Sequence, residues 1–112
     1  MPIYKIFRAD EWAAFDAAGE TAGAPIDLSD GYIHFSTEDQ LQGTLDKHFA
    51  GESDLWLLAL DPDALGPALR WEPARGGALF PHLYRTLRRD DVLWSRALTR
   101  LADGSVDRNA PA

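Results

Sequence analysis

The sequence predicts an α+β domain with about two helices and about five strands around one core. Three observations carry this. Hydrophobic spacing switches from alternating to helical within residues 2–19 and again within 32–49. "DLWLLALD" (54–61) is apolar almost without a break. Two long segments, 20–31 and 74–87, carry Gly and Pro with no period at all. At 112 residues, 46% of them apolar, the chain has material for a single two-layer core and not for two. Residues 1–103 read as that one domain, and the small, polar stretch 104–112 as a flexible tail.

"PIYKIFR" (2–8) alternates and is rich in aromatic and β-branched residues, which predicts an opening strand. "ADEWAAFDAAG" (9–19) has helical spacing, with Asp10 as N-cap, Trp12 and Phe15 on one face and Gly19 at the stop. Residues 20–31 read as a loop of the length that often carries function. "YIHF" (32–35) is a short strand. A helix follows over 36–49, with Ser36 as N-cap, Asp39 at its third position, and Leu41, Leu45, His48 and Phe49 on one side. Residues 54–61 predict a central strand buried on both faces. "DPDAL" is a turn, "ALRWEP" (68–73) a strand, "ARGGALFPHLYRTL" (74–87) a second irregular segment and "VLWSRALTRL" (92–101) a closing strand.

Net charge is −7, which argues against binding duplex nucleic acid, because phosphate contacts need a basic surface. No run approaches the length of a membrane span and no secretory leader pattern opens the chain, so the expectation is a cytoplasmic protein with no membrane partner. Cysteine is absent, which removes thiolate chemistry and disulfides. Charge is unevenly spread. Residues 1–69 hold only Lys5, Arg8 and Lys47 against 13 acids, whereas residues 70–100 hold 7 arginines against 3 acids. That arginine excess suits either an anion pocket or a face of ion pairs.

No hydrolase elbow, phosphate loop or dinucleotide fingerprint is present. The three histidines, His34, His48 and His82, are too scattered to predict a metal site. Two segments remain. In "IHFST" a strand histidine precedes a helix start, where backbone amides and the Ser36 and Thr37 hydroxyls suit a polar or anionic ligand. In "FPHLY" the rings of Phe80, His82 and Tyr84 suit stacking on a flat group, or equally the plugging of one end of the core.

"DGYIHFST", a helix ending in "HF", "LWLLALD", "LRWEP" and "FPHLYRTL" together resemble the domain-of-unknown-function family 952, over roughly residues 2–101. The resemblance implies an ADP-ribosyltransferase-like fold with a split mixed or antiparallel sheet, and NAD as a candidate substrate. It makes His34 similar to the histidine that holds the nicotinamide ribose in that fold, with Ser36 following before a helix. Phe35 stands where that motif has glycine, and Arg85 replaces the glycine of the family's "FPHLYG" pattern.

Two readings follow. In the first, a cleft between "IHFST" and "FPHLY" takes a nucleotide-like or phosphorylated small molecule of the NAD or ADP-ribose type. His34 orients a ribose or amide, Ser36 and Thr37 take an oxygen, and His82 and Tyr84 pack on the ligand. Arg75 or Arg85 neutralises charge, and Glu72 is the acid that steadies a cation in glycosyl transfer. In the second, the domain is a non-catalytic ligand- or protein-binding module. An open pocket containing a carboxylate favours the first.

Overall fold

The computed structural model describes residues 1–98, apart from the side chain of Arg75. The predicted tail (104–112) and the end of the predicted last strand (99–101) lie outside the described residues. The architecture is α+β with antiparallel sheets, as expected. In chain order the elements are β1 (Ile3–Arg8), α1 (Ala9–Ala18), β2 (Glu20–Thr21), α2 (Pro25–Asp30), β3 (Ile33–His34) and α3 (Glu38–His48). There follow β4 (Leu55–Leu60), α4 (Pro62–Leu65), β5 (Leu69–Pro73), β6 (Leu79–Leu83), β7 (Leu87–Arg88) and β8 (Val92–Ala97).

One three-stranded sheet runs β1-β4-β8 and a second runs β3-β6-β5, while β2 pairs with β7. Every strand pairing among the described residues is antiparallel. β4 is the central strand that its apolar run predicts, with Leu57, Leu58, Ala59 and Leu60 all buried. The two larger sheets touch through one isolated bridge: Tyr4 and Ser36 exchange backbone hydrogen bonds of 2.8 and 2.9 Å. The β3–β6 ladder is short because β6 carries Pro81. Pro81 O accepts from Phe35 N at 3.0 Å, but proline has no N–H to return the bond. The chain leaves β6 there and crosses to β1.

The main core gathers Ile3, Phe7, Phe15, Ile33, Leu58 and Leu83 among others, and a second cluster packs Leu41 and Leu45 of α3 and its C-cap Phe49 against Ile6 and Leu57.

Several expectations are corrected. The loop predicted over 20–31 holds β2 and α2, and "FPHLY" lies largely in a strand, β6, rather than a loop. Among the described residues there are four α-helices rather than about two; α2 and α4 are too short to show a hydrophobic period. Asp10 lies inside the first turn of α1, whose N-cap is Arg8. Ser36 does not cap α3. The cap is Thr37, whose N–H donates to Gln40 Oε1 at 3.1 Å. The same device opens α1 (Arg8 N to Glu11), α2 (Ala24 N to Asp27) and the 3-10 turn Arg89–Asp91 (Arg88 N to Asp91). Ser36 instead turns its hydroxyl to Thr44 Oγ1, 2.8 Å away.

Candidate functional site

β1 places Lys5 on the same side as Ile3 and Phe7, where alternation calls for a hydrophobe. A buried ammonium needs a counter-charge, and α2 supplies it. Asp27, its side chain 0% exposed, sits 2.7 Å from Lys5 Nζ. All of the Asp27 oxygens' neighbours are donors. Oδ2 accepts from Lys5 Nζ and from Ala24 N, each at 2.7 Å, and Oδ1 accepts from His34 N at 3.0 Å. His34 Nδ1 lies 2.6 Å from the same Oδ1. Burial pushes the Asp27 carboxyl up, but the His34 bond and the Lys5 charge outweigh it and hold it at about 2. Burial also pulls the Lys5 ammonium below the usual lysine range, against the pull of Asp27. Gly23 makes room for this group: a Cβ there would come 2.4 Å from Asp27 Cβ.

His34 is thereby fixed by its Nδ1, and its Nε2 faces Asp30 Oδ2 at 3.0 Å. Directly across the β3–β6 ladder stands His82, its ring centroid 5.4 Å from that of His34. His82 Nδ1 is 2.9 Å from Glu72 Oε1 on β5, and the Tyr84 hydroxyl donates to that same oxygen at 2.6 Å. The Tyr84 and His82 bonds hold Glu72 below the usual carboxylate range, and the shared bond raises the Tyr84 phenol. Tyr32 lies over the group, with ring centroids 4.7 Å from His34, 4.2 Å from His82 and 5.2 Å from Tyr84.

These residues open onto a cleft of about 470 Å³ between β1, the start of α2, α3 and the β3–β6 pair, a volume within the range of small-molecule sites. His34, Ser36, Phe80 and His82 belong to its wall, so the structure brings part of "IHFST" and part of "FPHLY" to one place. Thr37, Glu72, Tyr84 and Arg85 are not part of that wall. Glu72 and Tyr84 stand behind His82. Arg85 turns away, its guanidinium 3.0 and 3.2 Å from the Asp91 carboxylate. Arg75 lies in the 3-10 turn Arg75–Gly77 and its side chain is outside the described residues. Phe35 contributes to the wall but is 2% exposed and part of the main core, so its bulk is directed inward.

The positive charge comes from elsewhere than the arginine-rich segment. Arg89 pairs with Asp16, and Arg70 lies 5.1 Å over the Tyr84 ring. The cleft is lined instead by Lys5, Arg8 and Lys47, which are all the Lys and Arg of residues 1–69, and by all three histidines. Among the described residues only one carboxylate, Asp30, belongs to the wall. His48, expected on the buried side of α3, is exposed there. Sequence reasoning passed over Lys5, Asp27, Asp30, Tyr32 and Lys47. One signal was available: a lysine inside "IYKIF" demands a buried acid. No cluster of three or more His, Cys, Asp or Glu side chains fit to hold a metal occurs among the described residues, and no helix there is long and apolar enough to cross a membrane.

The family model described as "Protein of unknown function (DUF952)" matches residues 6–95. No curated protein matches the chain. Solved structures do. The crystal structure of protein CC0527 from Caulobacter crescentus is 45% identical, with TM-score 0.90, covering 96% of this chain and 94% of that one. The solution structure of CC0527 is 46% identical, with TM-score 0.83, covering 96% and 91%. The chain belongs to the domain-of-unknown-function family 952.

Proposed function

We propose that the cleft binds a small, nucleotide-like or phosphorylated anion of the NAD or ADP-ribose type. One observation carries the reading. In a chain of net charge −7, every cationic side chain of residues 1–69 and every histidine lines a single cleft. Lys5 is matched by Asp27 and Arg8 by Glu52 and Glu11, while Lys47 makes no ion pair among the described residues, so the charge that the cleft offers an anion is chiefly that of Lys47. Lys47 supplies charge to phosphate oxygens, and Arg8, whose guanidinium is held by Glu52 at 2.7 and 3.0 Å, stands beside it. Tyr32 offers a ring face to a flat group, and Ser36 offers a hydroxyl. The glycosyl transfer that the ADP-ribosyltransferase-like resemblance implies needs a carboxylate beside the ribose. Asp30 fits that role better than Glu72, which is held by Tyr84 and His82 outside the wall. An open cleft with a carboxylate in its wall favours this reading over a non-catalytic module.

The test is a titration of ADP-ribose and of NAD followed by amide NMR. Signals of Tyr4, Ser36 and Lys47 shift with saturation, while those of Arg85 and Asp91 stay in place. No shift at millimolar ligand, or shifts centred on Arg85, would sink the reading.

A further inference from the structure

Among the described residues α2 is the one α-helix that buries no hydrophobe of its own. α1 buries Phe15, α3 buries Leu41 and Leu45, and α4 buries Leu65, whereas the buried residue of α2 is Asp27. Its two large hydrophobes, Ile26 and Leu28, are 46% and 61% exposed. Beside them only the small side chain of Ala24, at the N-cap, belongs to the main core. What ties α2 down is polar. Asp27 Oδ2 takes Lys5 Nζ, and Asp27 Oδ1 takes the backbone N–H and the ring Nδ1 of His34. Asp30 Oδ2 lies 3.0 Å from His34 Nε2. The segment is bounded by glycines in the left-handed region, Gly23 at φ 113° and Gly31 at φ 86°. The bonds that opening would break are remade to water, whereas buried apolar area is not recovered. A helix fixed by carboxylates therefore parts from the sheets at lower cost than the sheets come apart.

We propose that residues 24–30, hinged at Gly23 and Gly31, are a lid on the cleft, with the Asp27 carboxylate as its latch, and that the ligand is held beneath it. The second half rests on reading the cleft as a nucleotide-like anion site; the hinge and latch do not. Ala24, Pro25, Ile26 and Asp30 belong to the cleft wall, as do Thr44 and Lys47 of α3. Closed, the lid sets Pro25 and Ile26 against the ligand, which covers their exposed apolar surface. Open, those contacts are lost, and Lys5 and His34 lose their carboxylate to water. A ligand that touches both the lid and α3 thus favours the closed form, and that difference in affinity is what shifts the equilibrium. Entry and release then pass through the open form.

The experiment is native-state hydrogen exchange of the wild type by amide NMR, in low urea, with and without ADP-ribose. Leu28 N donates to Ala24 O, Gly31 N to Asp27 O and His34 N to Asp27 Oδ1, so these three amides report the lid and its latch. Leu57 and Leu58, in the central strand β4, report unfolding of the whole domain. The lid amides share one protection factor, roughly tenfold or more below that of Leu57 and Leu58, and nearly independent of urea. Protection of Leu57 and Leu58 falls steeply with urea. ADP-ribose at about 100 times its Kd raises protection of the lid amides about 100-fold. Lid amides with the protection and urea slope of β4 overturn the lid. ADP-ribose that protects β4 but leaves the lid amides unchanged overturns the lid's hold on the ligand. Amide shifts that show no ADP-ribose binding overturn the reading of the cleft, and the urea slopes then decide the lid alone.

Discussion

Lys5 and Asp27 form a buried ion pair at 2.7 Å between β1 and α2, 22 residues apart, and the same carboxylate anchors His34. One contact therefore serves both stability and site geometry. Lys5→Met leaves a buried carboxylate without its cation and costs about 3–5 kcal/mol, read by urea denaturation. Arg89→Ala, which breaks the solvent-exposed pair with Asp16, costs under about 1 kcal/mol. Equal losses from the two variants would contradict this account of the core.

The Asp27 carboxyl also sets an acid limit. Its folded value of about 2 lies below the ordinary 3.8. A depressed carboxylate contributes stability that is fully present above the unfolded value and is lost as pH falls through the folded one. Asp27 thus contributes on the order of 2 kcal/mol above about pH 4, declining between about pH 4 and 2. Denaturation midpoints should fall across that window, and carboxyl carbon NMR should show an Asp27 midpoint at about 2. An Asp27 midpoint near 4 would refute it.

The start of α3 provides a test free of the site. Gln40 accepts from Thr37 N and donates to Leu79 O at 2.8 Å, so Gln40→Ala costs about 1 kcal/mol. Asp39→Ala, which removes no such bond, stays within about 0.5 kcal/mol. The reverse order would restore Ser36 as the cap.

Among the described residues Asp30 is the one carboxylate in the cleft wall, 3.0 Å from His34 Nε2. Asp30→Asn removes its repulsion and raises ADP-ribose affinity several-fold in calorimetry, with the gain shrinking in high salt. A loss of affinity would mean that Asp30 holds the ligand instead of competing with it.

What was legible in the sequence was whatever a short window of residues decides. β1, α1, α3 and β4 announce themselves by period, and the capping chemistry of "STEDQ" was misread by one residue only. His34 and His82 stood out because each interrupts an apolar strand. Their carboxylate partners did not stand out, because Asp27 and Glu72 reach them only through tertiary contact. β6 was hidden by Pro81, a residue that normally argues against an inner strand. The source of positive charge was misplaced because density along the chain does not report position in space. The arginines around residue 85 face Asp91, Asp16 and Tyr84, while three sparse cations far apart in sequence meet at the cleft, Lys5 paired with Asp27 and Arg8 with Glu52 and Glu11.

The central claim is most directly tested by calorimetry of ADP-ribose with wild type, Lys47→Ala and Arg85→Ala. The account predicts saturable binding by wild type, a roughly tenfold loss, about 1.4 kcal/mol, in Lys47→Ala, and unchanged affinity in Arg85→Ala. No binding by wild type, or a loss confined to Arg85→Ala, would contradict it.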